Sequence, residues 1–172
     1  MLSLLIDQAE SSKSNKLNFD GSFEYCKILE NIMDVKSSQA TGNAAMHYVG
    51  WQLSRRGWNV MPTARNAKGS DLFCSNDDES IIFGVQSKGL SKRAPVGLGS
   101  NLDNLRSEWW ILTINAKQNQ PVCYILRLDE VKELCHISDP AKSKSGVISH
   151  WLQPTAYDKP EFREAWHRLE KS

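Results

Sequence analysis

GSDLFCSNDDESIIFGVQSK, residues 69 to 88, decides the fold. Two strand-like runs, Ser70 to Cys74 and Ser80 to Lys88, flank a charged turn at Asn76, Asp77, Asp78 and Glu79, which predicts an antiparallel hairpin. The second run is apolar through Ile81, Ile82, Phe83 and Val85 and reads as a central strand buried on both faces. Neighbouring strands lie about 4.8 Å apart, so the hairpin brings Asp71 near Gln86, fifteen positions later. Gln86 and Lys88 are two apart on one strand and project from one face. An acid, an amide oxygen and an ammonium are thus expected at one end of a sheet.

The flanking sequence extends this pattern. Upstream, Phe23, Cys26, Ile28, Leu29, Ile32 and Met33 recur at helical spacing, and a Ser/Gln/Thr stretch, Ser37 to Thr41, reads as a break. Thr41 is then the expected N-cap of a second helix with Ala45, Val49 and Leu53 on its apolar stripe. Gly57 suits the left-handed position that ends it. Trp58 to Met61 reads as a strand. Gly89 to Asn101 is expected to be a glycine-rich loop able to close over a ligand, followed by a brief helix over Leu102 to Glu108. Trp109 to Asn115 and Val122 to Leu128 read as strands, with Asp129 capping a short helix and Asp158 and Pro160 opening a last one. This order predicts an α/β fold around a mixed sheet.

Composition narrows the function classes. A chain of 172 residues buries roughly 70% of its unfolded surface. Residues 21 to 172 are therefore expected to form one domain behind a loosely held polar arm, 1 to 20. Net charge is +1, so a polyanion must be held by a local basic surface rather than by overall charge. The longest largely apolar run, Trp109 to Ile114, is far short of a membrane span of about 20 residues. No secretory leader is recognisable, and a cytoplasmic location is expected. Cys26, Cys74, Cys123 and Cys135 lack metal-ligand spacing and read as reduced, mostly buried thiols. Trp58, Trp109, Trp110, Trp151 and Trp166 are assigned to packing, and His47 to the surface.

The Asp71, Gln86 and Lys88 cluster suits phosphodiester hydrolysis, in which a hard cation polarises the phosphate and acidifies a water. Mg²⁺ or Mn²⁺ would take oxygen from Asp71, from Gln86 and from the Ser87 carbonyl. Lys88 would orient the water or stabilise charge on the phosphate. Arg55, Arg56, Arg65 and Lys68 on one side, and Lys88, Lys92, Arg93 and Arg106 on the other, are the candidate phosphate contacts.

Gly42-Asn43-Ala44-Ala45, Leu53, Gly57-Trp58, Gly69-Ser70-Asp71 and Val85-Gln86-Ser87-Lys88 together resemble the PD-(D/E)XK nuclease superfamily, in the branch of restriction-like endonucleases and Holliday-junction resolvases. The likeness covers roughly residues 41 to 135. It implies a restriction-endonuclease-like αβββαβ core, Mg²⁺ or Mn²⁺, and DNA cleavage, with RNA left open as a substrate. Asp71 then stands at the invariant metal ligand, Gln86 at the second acidic position and Lys88 at the catalytic lysine. Gln86 replaces the usual Asp or Glu, and Met46 and His47 stand where the first helix often supplies a Glu; Glu24, Glu30 or Asp34 are the candidate replacements. A nuclease-derived DNA-binding module without chemistry is the alternative, and a protein-interaction domain on the same scaffold a third. Cutting both strands would call for a homodimer, since one site cuts one strand.

Overall fold

The computed structural model describes residues 21–64, 69–138 and 147–171, with the side chains of 21–27, 29–36 and 170–171 outside that description. The expected arm, 1 to 20, also lies outside it, as do Arg65 and Lys68. The chain divides into two compact units between Ser37 and Ser38. In the first unit the described backbone is helical from Gly21.

Helix α1 runs Gly21–Ser54 without interruption, so the break expected at Ser37 to Thr41 and the Thr41 N-cap do not occur. Weak helix formers cost only tenths of a kcal/mol each, and neither Gly nor Pro lies between Ser37 and Thr41. The second unit begins at Ser38, and within it the helix presents Ala45, Val49 and Leu53, all fully buried. Arg56 donates to the last-turn carbonyl of Gln52 at 2.8 Å and lies over Trp166, 4.7 Å from the ring centre. Gly57 turns the chain at φ 88°, as its position predicted.

Five strands follow in one sheet: β1 (Asn59–Pro62), β2 (Leu72–Ser75), β3 (Ile82–Leu90), β5 (Trp109–Ile114) and β6 (Val122–Arg127), ordered β1-β2-β3-β5-β6. The β2–β3 hairpin forms as expected, and β3 pairs with β5 in parallel, making a mixed sheet. Its first face packs Leu72, Cys74, Val85 and Ile111 under α1 and Trp166. The strand buried on both faces is β5, with all six residues buried, rather than β3. On β3 the second face carries Gln86 and Lys88, with Leu90 packed on the second core cluster beyond them.

A second sheet corrects the glycine-rich loop. Val96–Gly99 is a strand, β4, pairing with β8 (His150–Leu152), which pairs in turn with β7 (Cys135–Ile137). Val96, Leu98 and Leu152 pack on Trp110, Leu112 and Leu126 of the large sheet's second face. The alternation of small and apolar residues in Val96-Gly97-Leu98-Gly99 is strand-like, but flanking glycines masked it.

Three helix expectations shrink. Leu102 to Glu108 contains one 3-10 turn, Leu102–Asn104. The short helix α2 (Leu128–Glu133) is capped at Arg127, not Asp129: Glu130 Oε2 accepts from the Arg127 amide at 2.7 Å. Asp158 and Pro160 open no helix. Helical turns occur at α3 (Pro154–Tyr157) and at a 3-10 turn, Trp166–Lys171. The segment between them bonds to β6 instead, through Ile125 N to Phe162 O at 2.9 Å and Glu164 N to Cys123 O at 2.8 Å. Among the described residues no helix is long and apolar enough to cross a membrane. Trp58, Trp109, Trp110 and Trp166 are core residues as expected, whereas Trp151 is exposed.

Candidate functional site

Asp71 sits just before β2, held by its backbone from both sides. Its amide donates to Val85 O at 2.8 Å, and its carbonyl accepts from Thr63 N at 2.9 Å. Gly69 precedes it at φ 121°, a conformation that favours glycine. The Asp71 backbone is thus tied to Val85 and to Thr63 as the chain enters β2. Asp71 Oδ2 accepts a hydrogen bond from Gln86 Nε2 and another from the Ser87 amide at 2.8 Å. A carboxylate only accepts, so the Gln86 amide turns its nitrogen to Asp71 and its Oε1 away.

Gln86 and Lys88 open into one cleft of about 280 Å³, as their spacing predicted. The parallel register sets Gln86 beside Trp110 and Lys88 beside Leu112 on the same sheet face. Lys88 Nζ lies 5.5 Å from the centre of the buried Trp110 ring, a cation–π arrangement that steers the ammonium along the cleft wall. Gly97, Leu98 and Gly99 form the opposite wall. On the helix side, Gly89 lets β3 approach α1: a Cβ there would meet the Thr41 carbonyl oxygen at 2.5 Å.

Half-burial pushes the Asp71 carboxyl above its ordinary range, and the Ser87 amide, the Lys88 ammonium and the Gln86 amide pull it back in part. The residues present fit a hard cation of the Mg²⁺ type. Asp71 Oδ1 has no hydrogen-bond partner among the described residues, Gln86 adds a neutral oxygen, and Mg²⁺ commonly binds through one or two carboxylates while keeping several waters. Asp71 is the single carboxylate of the cluster, and no group of three or more His, Cys, Asp or Glu suited to a metal occurs among the described residues. Ser87 contributes its amide to Asp71. Met46 is partly buried against the core and His47 is exposed, so neither replaces the helix Glu. The side chains of Glu24, Glu30 and Asp34 lie outside the description.

The candidate phosphate contacts separate into groups. Arg56 packs on Trp166, Arg55 lies 4.9 Å over the exposed Trp51 ring, and Arg93 is ion-paired with Asp158 at 2.6 Å, while Lys92 is exposed. None of these four lines the cleft. Of the cleft walls, Arg106 is one of the candidate phosphate contacts and Gly97 and Gly99 belong to the glycine-rich segment expected to close over a ligand, whereas Leu105 is a wall that carries no sequence signal.

An α/β core of the endonuclease-like kind is thus on view, with a polar cluster at the mouth of its mixed sheet. Among solved structures the chain is similar to a bacterial homing endonuclease, I-Ssp6803I, with a TM-score of 0.51 and 16% identity. The similarity covers 78% of this chain and 95% of that one. At this identity the likeness concerns the fold alone. No family model and no curated protein matches the chain.

Proposed function

We propose that this chain is a metal-dependent endonuclease of the PD-(D/E)XK kind that hydrolyses DNA phosphodiester bonds. The observation that carries this reading is that Asp71 holds Gln86 by a hydrogen bond while Gln86 and Lys88, on one face of β3, open into one cleft that Asp71 itself does not line. The likeness in fold to a homing endonuclease supports it. Asp71 Oδ1 and the Gln86 Oε1 would hold Mg²⁺ or Mn²⁺, with the Ser87 carbonyl as a further donor. Gln86 reaches that role by turning its amide about the last bond, which exchanges nitrogen for oxygen toward Asp71. When bound, the ion polarises the phosphate and lowers the pKa of the attacking water. Lys88, braced on Trp110, orients that water or stabilises charge developing on the phosphate. The water's oxygen bonds to phosphorus, the bond to the leaving oxygen breaks, and that oxygen takes a proton.

The single carboxylate favours one rival, a nuclease-derived module that binds DNA without cutting it. Incubating the purified chain with duplex, nicked and branched DNA plus Mg²⁺ or Mn²⁺ separates the two. Cleavage is expected for the wild type, with losses of at least about a hundredfold in Asp71→Ala and Lys88→Ala, the scale of removing one group that stabilises developing charge. Retardation of DNA without cleavage, unchanged in Asp71→Ala, would establish the binding module instead.

A further inference from the structure

Arg106 sits between the Leu102–Asn104 turn and β5 and lines three depressions, of which one, about 430 Å³, is shared with Glu108, Arg127, Asp129 and Lys132 and the other two are neighbours. Of these two, one is the cleft of Gln86 and Lys88. The other, about 410 Å³, is walled by Ser70, Phe73 and Gly84, and Gly69 borders both. A guanidinium therefore stands at the junction of two adjoining hollows. Glu108, the carboxylate sharing the second hollow, bonds to Arg127 at 3.3 Å. Among the described residues no carboxylate lies within ion-pair distance of Arg106. By contrast, Arg93 and Arg168 are ion-paired, at 2.6 and 2.5 Å, and Arg56 caps α1.

We infer that Arg106 grips a backbone phosphate of the nucleic-acid strand where the two hollows meet, opposite Lys88. A planar guanidinium donates two parallel hydrogen bonds to two phosphate oxygens, which an ammonium cannot do. One gripped phosphate at the junction would let the strand continue from the cleft along the second hollow. Gly84 and Ser70 meet at the wall of that hollow, since a Cβ on Gly84 would collide with Ser70 Oγ. The assignment rests on the endonuclease reading of the cleft, and its test has a separate arm.

The test measures fluorescence anisotropy of labelled duplex DNA with the full chain in EDTA across a salt series, beside cleavage with Mn²⁺. Arg106→Ala is expected to weaken binding about tenfold and to flatten the log K against log salt slope by about 0.9. Arg106→Lys should restore the slope but not all the affinity. Arg127→Ala, already paired to Glu108, should stay within about twofold, and thermal melts should match throughout because Arg106 is exposed. If the wild type cleaves and Arg106→Ala binds with unchanged affinity and slope, the grip is wrong and the endonuclease reading stands. If the wild type never cleaves yet binding depends on Arg106 as stated, the catalytic reading falls and the grip stands. A wild type that does not bind DNA overturns both.

Discussion

Gly89→Ala tests whether the end of β3 that carries Gln86 and Lys88 is seated against α1 as described. An added Cβ would lie 2.5 Å from the Thr41 carbonyl oxygen and 2.7 Å from Ala45 Cβ. Neither neighbour can rotate aside, since one is helix backbone and the other a methyl group on a fully buried residue. Strand and helix must part, at a cost of about 2–3 kcal/mol for overpacking. Replacing glycine returns about 0.5 kcal/mol through the unfolded chain. A net of about 2 kcal/mol lowers the melting temperature by about 6 °C for a chain this size. Gly84→Ala is the control, with a nominally worse contact: its Cβ would lie 2.1 Å from Ser70 Oγ. That atom is a hydroxyl at the end of a rotatable bond, so the expected change is under about 1 kcal/mol. Calorimetric melts of the two variants give the comparison. A Gly84→Ala protein less stable than Gly89→Ala, or a Gly89→Ala melt within about 1 °C of wild type, refutes the seating of β3 on α1.

Three further outcomes follow from the same structure. Asp71 carries a folded-state pKa raised by burial, so its penalty is absent below the unfolded carboxylate value and grows as pH rises through the folded one. Asp71→Asn should therefore stabilise the chain at pH 7 and lose that advantage by pH 3 in urea titrations, while ending any cleavage; an unchanged pH profile counts against the half-buried ionised carboxylate. Burial pushes the Cys74 and Cys123 thiols up to about 12, so iodoacetamide at pH 8 should label the partly exposed Cys135 well before either, as mass spectrometry of timed samples will show. Glu164 accepts from the Cys123 amide at 2.6 Å and from the Trp166 indole at 2.8 Å. Glu164→Ala strands both donors and should cost about 1–3 kcal/mol by urea unfolding, with Glu164→Gln costing less.

The large sheet was legible because its strands are short apolar runs bounded by polar turns and its hairpin carries a charged turn. Asp71, Gln86 and Lys88 were legible for the same reason: two of them share a strand and the third precedes that strand's hairpin partner. What escaped was set by partners distant in sequence. β4 is four residues, two of them glycine, and becomes a strand only because Trp151 and Leu152 pair with it from more than fifty residues away. Arg106 was among the candidate phosphate contacts, but its place on the cleft wall follows a turn whose direction depends on Leu102 and Leu105 packing under β4. The break expected near Thr41 failed for the opposite reason, since local signals were weak and the helix continued through them.

The cleft's position follows from how little of the second face the small sheet covers. Val96, Leu98 and Leu152 bury β5 and β6, but Met61, Phe73 and Ile82, on β1, β2 and the start of β3, remain exposed at 48%, 44% and 59%. Gln86 and Lys88 lie along β3 between those two regions, and both are half-buried. A side chain fully under the small sheet would be fixed but closed to a polymer; one on the open part of the face would be accessible but held by little. At the boundary, Trp110 and the Ser87 amide fix the orientations of Lys88 and Asp71 while the cleft stays open to solvent. Held polar groups facing an open cleft are what the proposed nucleic-acid substrate would require. A register slip of one residue between β3 and β5 would turn Gln86 and Lys88 toward α1 and bring Ser87 to the cleft, removing the site with the sheet otherwise intact.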